Sequence, residues 1–180
     1  MSGPVVVIEL VEGASPASVQ RVRELLVRCA ARCRETGYGQ FDAHVDAVSL
    51  GSEQFEDRRS PRPVVVSFMG PGIGDEAVFE AEHAEDSDLE GLIGFTPTHA
   101  VQVVALCGSP VDHVVTALLT AAVMDVVGGV AGVELREEQI SGAAGLVGVV
   151  AVRSGPCPVV FGSARFLREL TRSPGLRFLQ

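Results

Sequence analysis

The sequence predicts an α+β fold: a mixed, mainly antiparallel sheet with about three helices packed on it as a single layer pair. Residues 41–50 (FDAHVDAVSL) set Phe41, Ala43, Val45 and Ala47 against Asp42, His44 and Asp46, the alternation of a strand with one buried and one wet face. Ser15-Pro16 and Ser109-Pro110 each open a segment of helical periodicity, Ser as the N-cap and Pro preset for the first helical position. Strands come in groups between the helices, in the order strand, helix, several strands, helix, several strands, helix, strand.

Pro4 to Leu10 (PVVVIEL) is an apolar, β-branched run, hence a largely buried first strand. After Ser15-Pro16, Val19, Val22, Leu25, Leu26, Cys29 and Cys33 form one helical stripe, with Arg21, Arg23, Arg28, Arg32 and Arg34 mostly off it. That helix is expected to run to Gly37. The strand at 41–50 follows, then the polar connector SEQFEDRRSPRP and the strand Pro63 to Met69 (PVVVSFM). Residues 70–91 read as a mobile acidic loop, with a helical turn at Ser87 to Gly94 where Ser87-Asp88-Leu89-Glu90 can form a capping box. Ala100 to Leu106 is a strand, and an almost wholly apolar helix runs from Ser109-Pro110 to Val127, stopped by Gly128-Gly129. Val130–Leu135 and Leu146–Val152 are strands joined by a polar turn, and Pro158–Phe161 is a further short strand. Ser163 caps a last helix, and LRFLQ closes the chain as a strand. Both halves place a Ser-Pro-capped helix after an apolar strand, without a repeat in the sequence itself.

A chain of 180 residues fits one domain, residues 1–180. The net charge of −9 and a pI near 4.9 disfavour nucleic acid and anionic membranes as partners, since both need clustered cations. All fourteen basic residues are arginine, so every ion pair uses a guanidinium. MSGPVVVIELVEG lacks the positive start of a signal peptide, and the apolar run 111–127 is interrupted by Asp112, His113 and Asp125. The expected location is cytoplasmic, with Cys29, Cys33, Cys107 and Cys157 as reduced thiols.

No catalytic signature survives scrutiny. The glycines of MGPGIGD (69–75) miss the dinucleotide fingerprint, and Asp75 and Glu76 would repel a phosphate where a helix should attract one. Cys29 and Cys33 lack the further ligands of a zinc site, so no metal and no cofactor is expected. Asp112 and His113 open the long apolar helix, but neighbours on a helix point about 100° apart, so Asp112 does not orient His113 as a triad requires. Asp125 stands in the last turn of that helix, where the dipole disfavours an anion, and it calls for an arginine partner. Asp112, His113 and Asp125 remain the alternative pocket of a small enzyme or ligand-binding domain.

The most distinctive stretch is acidic. Between Gly74 and Gly91 lie Asp75, Glu76, Glu80, Glu82, Glu85, Asp86, Asp88 and Glu90, with no arginine among them. Such a block is a solvated loop or an interaction surface. As a surface it would steer a basic partner, which would then dock on Phe79, Leu89 and Phe95.

The run CGSPVDHVVTALLTAAVMDVVGG (107–129) and the closing GSARFLRELTRSPGLRFLQ (162–180) resemble an uncharacterised family of small actinobacterial proteins catalogued as a domain of unknown function. The first strand and FDAHVDAVSLG are similar too. The resemblance implies no catalytic residues; it implies genes that can lie among polymorphic-toxin and immunity loci. The expected function is therefore a non-enzymatic binding module, most concretely an immunity or antitoxin-like protein occluding a basic toxin domain. A self-associating structural or regulatory protein is the further alternative, and the sequence leaves the oligomeric state open.

Overall fold

The apolar run PVVVIEL becomes a central strand of a large sheet. The computed structural model describes residues 3–55, 57–84 and 88–179. Its first half contains β1 (Val5–Leu10), α1 (Pro16–Cys29), β2 (Ala30–Gly37), β3 (Gln40–Val45), β4 (Arg62–Gly70), β5 (Ile73–Gly74), α2 (Glu76–His83) and α3 (Leu89–Ile93). The second half continues with β6 (His99–Ala105), α4 (Pro110–Val127), β7 (Val130–Glu134), α5 (Glu137–Ala144), β8 (Val149–Arg153), β9 (Val159–Gly162) and α6 (Ala164–Leu170). The strands form one sheet in the order β2-β3-β4-β6-β1-β7-β9-β8, with β5 paired to β4 off this path. Each pairing is antiparallel, so the mixed sheet expected from the sequence is replaced by an antiparallel one.

The two halves are interleaved. β1 and β6 lie side by side at the centre, Val5 opposite Val104 and Leu10 opposite His99. The strands that follow β1 and α1 (β2, β3, β4) sit beyond β6, and those that follow β6 and α4 (β7, β8, β9) sit beyond β1. The Ser-Pro echo in the sequence thus marks two strand–helix units that each send three strands to the other's side.

The alternation within the strands divides the sheet into two faces. Val6, Ile8, Phe41, Val66, Phe68, Val101, Val103, Val133 and Val160 face the main core with α1, α4 and α6. α4 is the centre of that layer, buried nearly all round from Val111 to Met124, and it packs on α1, α6, β1 and β6. It has the length and composition of a membrane-crossing helix, yet most of it is covered by this fold, as in a core helix. Gly128 and Gly129 end it at φ of 77° and 89°, backbone angles that favour glycine.

The other face carries Val7, Met69 and Ala100 under Phe79 of α2, and Val159 and Phe161 under Leu89 and Ile93 of α3. The single layer pair is therefore a sheet with helices on both faces, and six helices, not three, occur among the described residues. The continuous apolar runs PVVVIEL and PVVVSFM are the physical reason: strands apolar at successive positions need cover on both sides.

Three further expectations change. α1 ends at Cys29, and residues 30–37 pair with β3 as an edge strand, Cys33 opposite Ala43, instead of extending the helix. The helical stripe continues through Cys33, but the free hydrogen-bonding edge of β3 claims this segment, whose exposed Arg32, Arg34 and Glu35 blunt the new edge. The polar turn expected between Leu135 and Leu146 contains α5. The closing strand is reduced to one bridge between Leu135 and Phe178.

Candidate functional site

The acidic stretch builds the second layer. Asp75 caps α2, its Oδ1 accepting from the Val78 N–H at 3.1 Å. Residues 76–83 are helical where a loop is expected, because Phe79 finds an apolar seat against Met69, Ala100 and Val7. Glu76 and Glu80, one turn apart, stay on the exposed side, with Val78 exposed between them. Among the described residues no cation pairs with Glu76, Glu80 or Asp88.

The last turn of α2 is tied to the sheet by polar contacts. His83 stacks on Phe79 with ring centroids 4.2 Å apart. Its Nδ1 lies 2.8 Å from the Phe79 carbonyl and its Nε2 lies 2.9 Å from Glu9 Oε2. A carbonyl can only accept, and so can an ionised carboxylate. The His83 Nδ1–H therefore donates to the Phe79 carbonyl, and Nε2 pairs with the Glu9 carboxyl group. Beside it, Gln102 Nε2 donates to Glu82 Oε1 at 3.2 Å. Burial, reinforced by the charge of Glu9, raises the proton affinity of Glu82, against the opposing pull of His83.

Between α2 and α3 the sheet face is hollow. The cavity holds about 270 Å³ over a floor of Val5, Val7 and Gly132. Glu9, Glu82 and His83 stand on one side, Leu89, Val159 and Phe161 on the other, and Glu134, Arg153 and Leu179 complete the rim. Gly132 keeps the floor low: a Cβ there would stand 3.1 Å from the Phe161 ring. The Arg153 guanidinium lies 5.9 Å from the centre of that same ring.

The residues singled out from the sequence scatter. Asp75, Glu76, Glu80, Asp88 and Glu90 lie on the outside, Glu90 accepting from Thr96 Oγ1 at 2.8 Å, while Glu82 turns to Gln102. Glu85, Asp86 and Ser87 lie outside the described residues. Phe79 and Leu89, expected as docking residues, point inward at 8% and 3% exposure, because the sheet beneath needs them. Phe95 is half-buried against the Leu89 and Ile93 cluster.

Asp112, His113 and Asp125 form no common pocket. The Asp112 carboxylate accepts from the Ser109 N–H and Oγ at 2.7 and 2.6 Å, closing a capping box, and its other oxygen lies 3.8 Å from Arg62 Nε. His113 turns elsewhere, its Nδ1 accepting from the Phe178 N–H at 3.0 Å. Burial, then the nearby Arg177, pushes the His113 pKa down to about 4, so the ring is neutral near neutral pH. Asp125 meets the arginine that its position calls for, with Arg168 Nη1 3.3 Å from Oδ1.

Sequence reading passed over Glu9, Gly132, Glu134 and Arg153. Glu9 left a signal, as the one carboxylate inside PVVVIEL, yet 94% of it is buried. Its partner is 74 positions away, so nothing local could name it.

No curated protein and no solved structure matches the chain. A family model does, over residues 2–180, and its description is a family of unknown function, DUF6368.

Proposed function

We propose that this chain, which belongs to the DUF6368 family along residues 2–180, is a protein-binding module whose acidic outer layer receives a basic partner. The observation that carries the reading is the exposed face of α2. Glu76 and Glu80 repel each other at i,i+4, which costs a helix about 0.2–0.5 kcal/mol, and no described cation relieves them. Four of the arginines pair with other carboxylates: Arg23 with Glu35, Arg62 with Asp57 and Asp112, Arg168 with Asp125 and Arg172 with Glu169. The helix dipole favours Glu76 in the first turn of α2, but Glu80 lies beyond that turn, and an exposed Glu80 with no described cation is better explained by a partner than by the fold.

Asp75, Glu76, Glu80, Asp88 and Glu90 would steer a cationic surface to this layer, raising association roughly 10–1000-fold at low salt. Val78 supplies the exposed apolar contact in place of Phe79 and Leu89. Most concretely, the protein is an immunity or antitoxin-like factor in the cytoplasm, and its partner a toxin domain with a cationic cleft. The association with toxin and immunity loci that the sequence resemblance implies supports this choice. Asp112, His113 and Asp125 support no enzymatic rival, since their side chains engage separate partners.

The test is capture of partners by the tagged protein from its native host at low salt, identified by mass spectrometry. The quadruple variant Glu76→Gln, Glu80→Gln, Asp88→Asn, Glu90→Gln should lose a basic protein that the parent retains, and high salt should release it. A complex indifferent to both changes overturns the reading.

A further inference from the structure

We propose that the uncovered row of the sheet beside α2 receives an amphipathic helix from a protein partner, its acidic N-terminal turn over β2 and its basic C-terminal turn over β7. The inference goes beyond the outer side of α2 and stands without it. The row follows from the strand register. Arg34 lies opposite Asp42, Asp42 opposite Val65, Val65 opposite Val104 and Val104 opposite Val5. Glu134 extends the row on β7, two residues past Gly132, the partner of Val7. These positions alternate with the residues of the main core, so they lie on the face that α2 and α3 cover elsewhere.

The middle of this row is apolar and open. Val5, Pro63, Val65 and Val104 are only half-buried, and Leu106, whose N–H donates to the Pro63 carbonyl, is 53% exposed. The flanks carry opposite charge. Arg32 and Arg34 are exposed on β2, Glu134 is exposed on β7, and none of the three forms an ion pair among the described residues. Asp42 and His44 stand beside the arginines on β3, and a groove of about 200 Å³ opens between these four and Pro63. Arg153 lies two strands beyond Glu134, over the Phe161 ring.

Charge and length select the occupant. An apolar strip on a sheet is covered by a helix with one apolar face, as α2 and α3 cover the neighbouring strips. Acids in the first turn of a helix and cations in its last turn suit the helix dipole, and that polarity matches arginines at β2 and a carboxylate at β7. From β2 to β7 there are five inter-strand spacings, ~24 Å at ~4.8 Å each, the length of a helix of about 16 residues.

The experiment is a methyl-NMR titration of the intact protein with a helical peptide of about 16 residues that carries one leucine stripe, glutamates in its first turn and arginines in its last. A second peptide keeps the leucines and exchanges the glutamates with the arginines. The first should shift the methyls of Val65, Val104 and Leu106 saturably and bind about ten-fold more tightly than the second. Leu106→Gln, at an exposed position, should weaken its binding several-fold with the spectrum otherwise intact. The triple variant Arg32→Glu, Arg34→Glu, Glu134→Arg, exposed at each position, should reverse the preference between the peptides, whereas Glu24→Gln on α1 should leave it unchanged. Shifts absent for both peptides, shifts confined to other methyls, or a preference that survives the triple variant overturn the proposal. Broadening of the same three methyls with protein concentration alone, without any effect of peptide, gives the face to a second copy and also overturns it.

Discussion

His113 sits beside an aspartate in the first turn of α4, and its neighbours give it a structural task. Its Nδ1 takes the backbone N–H of Phe178, and its ring meets the Phe178 ring edge-on at 5.7 Å, so it fastens the C-terminal segment to the core. That role needs the neutral ring, since a protonated Nδ1 cannot accept. The folded state protonates His113 only near pH 4, whereas an unfolded histidine does so near 6.5. Between these values the unfolded chain binds more protons, so acidification favours unfolding. Burial and Arg177 keep the ring neutral, and Asp112 opposes them. Urea midpoints should therefore fall as pH drops from 6.5 towards 4, at up to roughly 1.4 kcal/mol per pH unit from this residue. His113→Gln should flatten that slope, and an unchanged slope would assign the acid sensitivity to other groups.

α2 is an eight-residue helix, too short to stand alone, that exists because the sheet gives Phe79 a place. Its attachments include the Phe79 contact, the His83–Glu9 pair and the Glu82–Gln102 hydrogen bond. Phe79→Ala should release the helix without unfolding the protein. Hydrogen exchange should then show α2 amides losing protection while those of α4 and β6 keep theirs; equal loss in all three would make α2 part of the global core. Glu80→Gln should act oppositely on stability, raising the unfolding free energy by a few tenths of a kcal/mol as its repulsion by Glu76 is removed, while Glu76 keeps its favourable place in the first turn of the helix. A fall would mean that this carboxylate stabilises the free protein, and the partner argument would lose its support.

At the scale of the molecule, the crossing of the two strand–helix units ties both halves to the central β1–β6 pair. Neither half can close its own sheet, because β4 needs β6 and β7 needs β1. Unfolding is therefore expected as one cooperative transition, with coincident urea curves from secondary-structure and tertiary probes. Two separated transitions would show that β2–β4 or β7–β9 persists without its opposite half. This topology also brings α2 and α3 over neighbouring parts of one sheet face, so the acidic surface and the cavity with Glu9, Glu82 and Glu134 occur on the same side.

What was legible in the sequence was local. The Ser-Pro caps, the Gly-Gly stop and the apolar runs located α1, α4 and most strands, because capping and periodicity act within a few residues. The need of Asp125 for an arginine was readable from its place on the helix, though not that Arg168 would meet it. Residues 30–37 carried a helical stripe and became a strand, since a free sheet edge is a fact of tertiary structure. The acidic segment looked like a loop because its helix depends on a seat made by β1, β4 and β6. Glu9 is paired with a histidine 74 positions away, at one side of a cavity whose floor comes from β1 and β7. The sequence by itself determined which segments bury apolar surface and where charge collects. Tertiary structure alone decided which charges meet, because antiparallel pairing and helix docking join residues that no local period connects.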